Sequence, residues 1–191
     1  MKKLFSILFM TTFLFTACSS DGERGPQGPP GEDGQDGLNA ASATIFEINS
    51  DFFYDEEANL WTTDLLAFVD FTDVEVLETD VVLIYRLDAV GQLDDGSDVD
   101  EWSMLPQNFF TDDGTIQYVF NHTFVDTEIF IDGNYNLSGL SDDFTSNQIF
   151  RIAIIPANFY ESANFDSSDF GSLMNALDLK EQDIKKARTL K

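Results

Sequence analysis

Five carboxylates crowd one short stretch, Asp94, Asp95, Asp98, Asp100 and Glu101, and oxygens of this hard type are what calcium prefers. The stretch lacks the alternating 1, 3, 5 ligand positions and the glycine at position 6 of an EF-hand loop, so it reads either as a hydrated hairpin loop or as a weak candidate metal site. His122 is the sole histidine. Alternation puts it on one face with Phe120 and Phe124, as a core or rim histidine or as a lone general base. No Gly-x-Ser-x-Gly elbow, phosphate loop, dinucleotide fingerprint or His-Glu-x-x-His stands in the chain, which leaves no catalytic residue to nominate. Paired carboxylates can hydrolyse glycosides, but in so acidic a chain a suitable pair arises by chance. Arg86 and Arg151 each interrupt an apolar run, where an unpaired guanidinium is costly. Each should therefore meet a carboxylate, from a neighbouring strand or from a ligand.

The sole cysteine, Cys18, has a different chemistry open to it. It follows Lys2 and Lys3, an apolar run over residues 4–15 and the small pair Thr16 and Ala17, the three parts of a secretory leader. The run is shorter than the about 20 residues a membrane span needs. Leu14-Phe15-Thr16-Ala17-Cys18 resembles the lipobox of bacterial lipoproteins, with Phe15 where leucine is usual. The resemblance implies that Cys18 takes a diacylglyceryl group and that the leader is cleaved. Ser19, Ser20, Asp21 and Glu23 are similar to the acidic tract that accompanies export to the outer face of the outer membrane in some Bacteroidota lipoproteins. With Cys18 acylated no thiol remains for a disulfide, a nucleophile or a zinc site.

Behind the anchor, Gly22, Gly25, Gly28, Gly31, Gly34 and Gly37 fall at every third position, the period a collagen triple helix requires because only glycine fits at its axis. So short a run forms at best a weak triple helix, so the stalk reads as a mainly monomeric spacer with a trimer as the alternative. As a polyproline II spacer, eighteen residues reach at most roughly 56 Å.

The elements that would position the acids and arginines lie after residue 40. The chain carries 10 Lys and Arg against 35 Asp and Glu, a formal charge of −25, which repels phosphate backbones and makes nucleic acid an unsuitable partner. Between 38 and 179 only Arg86 and Arg151 are basic, whereas Lys180, Lys185, Lys186, Arg188 and Lys191 crowd the end. Nineteen phenylalanines and repeated period-two runs mark strands. Residues 115–124 alternate cleanly and predict a half-buried strand, while 81–88 and 149–155 are nearly continuous apolar runs that suit strands covered on both faces. Further strands are expected over 42–52, 60–70, 102–105 and 128–132. Residues 173–177 and 179–190 read as a helical pair packed on one end of the body, with Asp178 and Glu181 spaced as a capping box.

The expected architecture is mainly β: an antiparallel β-sandwich or barrel-like domain over 41–191 with a short C-terminal helical pair. A signal peptide over 1–17 and a lipidated, collagen-like stalk over 18–40 precede it. Read together with Asp80-Val81-Val82-Leu83-Ile84-Tyr85, Leu105-Pro106-Gln107, Asp113-Gly114-Thr115, Asn121-His122-Thr123-Phe124, the run from Phe150 to Ala157 and Met174-Asn175-Ala176-Leu177, the chain resembles the collagen-repeat lipoproteins of flavobacteria and related Bacteroidota. That resemblance implies the architecture and no catalytic residue. The expected function is non-enzymatic: an outer-membrane lipoprotein, anchored through its lipid and without a cofactor, displaying a structural or adhesive module toward an envelope or extracellular polymer. The rivals are a polysaccharide hydrolase with paired carboxylates and a divalent-cation-dependent adhesion module.

Overall fold

A computed structural model describes residues 43–187. The leader, Cys18, the stalk and the last four residues lie outside the described residues, and with them the anchor and triplet expectations.

The described chain is mainly β, in two sheets. Its strands are β1 (Thr44–Ser50), β2 (Phe53–Asp55), β3 (Leu60–Thr62), β4 (Leu66–Ala67), β5 (Val81–Gln92), β6 (Asp98–Met104), β7 (Gln107–Phe110), β8 (Thr115–His122), β9 (Asp126–Gly133), β10 (Gln148–Ile155) and β11 (Lys185–Lys186). The first sheet runs β11-β1-β10-β5-β6 and the second β2-β3-β9-β8-β7, with β4 also on β9. β11 lies parallel to β1. The arrangement is compatible with a β-sandwich. Three short helices complete it, α1 (Asp142–Thr145), α2 (Ala157–Ser162) and α3 (Phe170–Ala176).

Period two explains the layers. In β8, Ile116 and Tyr118 enter the core between the sheets while Gln117 and Val119 face outward. In β10 both faces are apolar, so both are covered: Phe150, Ile152 and Ile154 pack against the second sheet's Ile129 and Ile131, and Ala153 and Ile155 pack under Phe159, Phe170, Leu173 and Leu177 of the helical layer. β5 divides likewise, with Val82 and Ile84 inward and Tyr85 outward. Gly114 belongs to the β7–β8 turn because a Cβ there would collide with Asn134 Oδ1 and come within 2.8 Å of Tyr135 Cδ1.

Several expectations are corrected. Residues 179–190 do not form a helix within the described part: Glu181–Asp183 is a single 3₁₀ turn and Lys185–Lys186 is a strand. The turn closes on itself, the Lys180 N–H donating to Asp183 Oδ2 at 2.8 Å and the Asp183 N–H to the Lys180 carbonyl at 2.8 Å; these bonds join Lys180 and Asp183 in place of the capping box expected from Asp178 and Glu181, and the Lys180 side chain itself makes no cap bond. Ile184 then drops into the outer core, and the Ala187 N–H donates to the Glu47 carbonyl. Pairing with the exposed edge of β1 thus outweighs helix propensity. The remaining helix, α3, covers the outer face of the first sheet rather than an end, because the two-faced strands need that cover. The stretch expected as one strand over 60–70 is broken at Thr63 and closes with a 3₁₀ turn at Phe68–Asp70.

Arg86 seals the inner core near the β5–β6 bulge. Its Nη1 meets Asp88 Oδ1 at 2.8 Å, its Nε and Nη2 donate to Gln148 Oε1 at 3.0 and 2.8 Å, and its guanidinium lies 4.8 Å from the Tyr118 ring centre. The Tyr118 hydroxyl donates to the Phe144 carbonyl at 2.6 Å. Burial pushes this phenol up to about 12, against the pull of Arg86. The unfolded phenol titrates near 10, so the unfolded chain loses the proton first. Stability is full below pH 10 and falls between pH 10 and 12, by on the order of 2–3 kcal/mol. Tyr118→Phe should therefore make the alkaline decline of the urea midpoint shallower, at a cost of about 1 kcal/mol at neutral pH for the lost hydrogen bond. An equal decline in both proteins would remove Tyr118 as its cause.

Candidate functional site

The chemistry-bearing residues converge on the outer face of the first sheet, around Arg151. β10 places Arg151 directly opposite Glu47 of β1, and its side chain is 2 % exposed. Its Nε donates to Glu47 Oε2 at 3.0 Å. Nη2 lies 2.9 Å from the same oxygen, donates to Glu181 Oε1 and stands 3.9 Å from Asp100 Oδ2. The guanidinium is 3.9 Å from the Trp102 ring centre and 4.9 Å from that of Phe170. Lys186 adds a second cation, 3.4 Å from Glu47 and 3.7 Å from Glu181. Carboxylates on one side and aromatic faces on the other satisfy the cation that this strand buries.

Above this cluster opens a pocket of about 520 Å³. Trp102, Phe170 and Met174 form its apolar wall, Arg151 its floor, and Asp98, Asp100, Asp169 and Glu181 its acidic rim. Asp169 is also the cap of α3, accepting from the Gly171 N–H at 2.9 Å. Beneath, the Tyr85 hydroxyl donates to the Ser167 carbonyl at 2.5 Å. Burial first, and then the nearby carboxylates of Asp169 and Asp166, push its pKa far up, so it serves as a neutral strut. An aromatic wall beside hydrogen-bond acceptors suits a polyhydroxylated chain, whose C–H faces stack and whose hydroxyls donate.

The five acids do not stay together as a loop. Asp94 and Asp95 lie in the β5–β6 turn, whereas Asp98, Asp100 and Glu101 are strand residues of β6. Asp95 spends its Oδ1 on the Ser97 N–H and hydroxyl, at 2.9 and 2.6 Å, and these bonds hold its carboxyl below the usual range. Alternation turns Asp98 and Asp100 toward the pocket with Trp102, and Glu101 away, 3.6 Å from where a Cβ on Gly91 would stand. Among the described residues no three His, Cys, Asp or Glu side chains are grouped to hold a metal ion. His122 keeps its expected face, stacked on Phe120 at 6.0 Å, but at the exposed rim beside the end of β8. Both arginines do meet carboxylates: Arg151 across the strands, Arg86 within its own strand at Asp88.

Glu47, Trp102, Asp169, Phe170 and Glu181 were not singled out by the sequence as site residues. Only Trp102 and Phe170 carried a signal, as large aromatics beside acids, and that signal is shared by much of this chain. No protein-family model matches the chain, and no curated protein or solved structure does.

Two outcomes follow. Arg151→Met leaves Glu47 facing the outer core with only the exposed Lys186 as a counter-ion and should cost about 3 kcal/mol in urea unfolding, whereas Asp100→Asn, at a half-exposed and longer contact, should cost less than about 0.5 kcal/mol; equal costs would mean that Arg151 does not organise the cluster. Calcium and sodium chloride at matched ionic strength should shift the melting temperature alike. A calcium-specific rise abolished by Asp98→Asn with Asp100→Asn would restore the metal site.

Proposed function

We propose that the chain is a non-enzymatic outer-membrane lipoprotein, held through acylated Cys18, whose β-sandwich body over 41–191 is displayed on the triplet stalk as an adhesive or structural binding module. The observation that carries this reading is the open pocket beside Trp102, with an apolar wall and an acceptor-rich rim. Its ligand class is a polyhydroxylated envelope or extracellular polymer. Of the carboxylates around Arg151, Glu47 and Glu181 are committed to its guanidinium, an arrangement that suits holding a ligand better than donating a proton to a leaving group. The same charge that keeps nucleic acid away does not oppose a neutral glycan.

Two measurements test it. Mass spectrometry of the membrane fraction should find an acylated amino-terminal peptide beginning at Cys18, and Cys18→Ser should release the protein; unacylated wild type in the soluble fraction would sink the anchor. Retention on a panel of immobilised envelope polysaccharides should fall at least about ten-fold, or 1.4 kcal/mol, in Asp98→Ala with Met174→Arg. Release of new reducing ends from any of these polymers would instead make the protein a hydrolase.

A further inference from the structure

A second opening lies at the other sheet's edge. The 3₁₀ turn after β4, the extended run that follows it and the β8–β9 turn together line a groove of about 660 Å³. Its apolar groups are exposed to a degree unusual for side chains of their kind: Val69 81 %, Val125 50 %, Phe124 46 % and Val74 40 %. Scattered exposed aliphatics need no explanation, but a contiguous set lining one concavity marks a docking surface. The two walls are pinned, since the Phe68 N–H donates to the Val125 carbonyl at 2.8 Å and Thr123 and Asp126 close the turn, the Thr123 hydroxyl donating to Asp126 Oδ1 at 2.6 Å. The groove is therefore preformed, which lowers the cost of filling it.

Charge selects the occupant. Asp73, Glu75 and Asp126 stand on the groove itself, Asp70 and Glu78 flank it, and residues 64–80 hold no Lys or Arg. The chain's own Lys185 reaches toward Asp73, at 3.9 Å, so this rim already takes a cation. A second copy meeting it groove to groove would bring acid against acid, and an anionic membrane surface would be repelled in the same way. We infer that the groove at Val69, Val74, Phe124 and Val125 docks a protein segment in which aliphatic side chains are flanked by lysine or arginine. This site is separate from the Trp102 pocket and does not rest on the polymer reading.

The probe is a fluorescent peptide with a Leu-Val-Val-Leu centre flanked by lysines, compared with one flanked by glutamates, each titrated into the full chain and followed by anisotropy. The lysine peptide should bind at least about ten-fold more tightly than the glutamate peptide and lose affinity with added salt. Asp73→Asn with Glu75→Gln should remove most of that preference, and Val74→Ser should weaken the lysine peptide about ten-fold. All three positions are at the surface, and an unchanged melting temperature checks the fold; Asp113→Asn, on the β7–β8 turn, should change nothing. Equal affinity for the two peptides, or binding indifferent to Val74→Ser, would overturn the proposal. So would concentration-dependent self-association, or binding to phosphatidylglycerol vesicles, that Val74→Ser abolishes.

Discussion

The organisation of this domain depends on one strand that is apolar on both faces. β10 runs Gln-Ile-Phe-Arg-Ile-Ala-Ile-Ile, and all but one of its residues are buried. Its even positions fill the core between the sheets and its odd positions face the other way. At about 25 cal/mol per Å² of apolar surface, leaving either face wet would forfeit several kcal/mol. The second sheet covers one face, and α2, α3 and Ile184 cover the other. The helical layer is thus a consequence of the strand's composition.

Arg151 is the exception in that strand, and its burial shapes the outer surface. A guanidinium enclosed in this way needs counter-ions and hydrogen-bond acceptors around its whole plane. Glu47 comes from β1, Asp100 from β6 and Glu181 from the 3₁₀ turn before β11. Trp102 and Phe170 close the faces that carboxylates cannot reach. The carboxyl-terminal segment is drawn to the sheet by the same cation, with Lys186 as its second tie to Glu47. A structural need for charge balance and an acid-rimmed pocket have one origin.

Two openings in an acidic domain then differ in what they offer. The pocket at Trp102 keeps two of its acids, Asp100 and Glu181, close to cations, so its field is partly cancelled and its hydrogen-bond acceptors remain. The groove at Val74 has acids with little compensation beyond the exposed Lys185, 3.9 Å from Asp73. Local balance of charge, more than the overall −25, sets which ligand each can hold.

Much of the body is legible in the sequence because period two is a local property. The alternation over 115–124 and the continuous apolar runs at 81–88 and 149–155 foretell β8, β5 and β10, and two-sided burial follows from the continuity itself. That Arg86 and Arg151 meet carboxylates also follows from their positions, since an unpaired guanidinium in such a run is costly. The partners do not follow: Glu47 is 104 residues from Arg151 and Glu181 is 30, and only the strand order brings them together. The acids at 94–101 look like one loop, yet pleating sends Asp98 and Asp100 one way and Glu101 the other. Residues 179–187 carry helical spacing, yet the unpaired edge of β1 claims them as a turn and a strand. Short-range pattern therefore determined which segments are strands and what each arginine requires. Tertiary structure alone decided which side chains share a pocket, because register and sheet order are settled by packing between residues far apart in the chain.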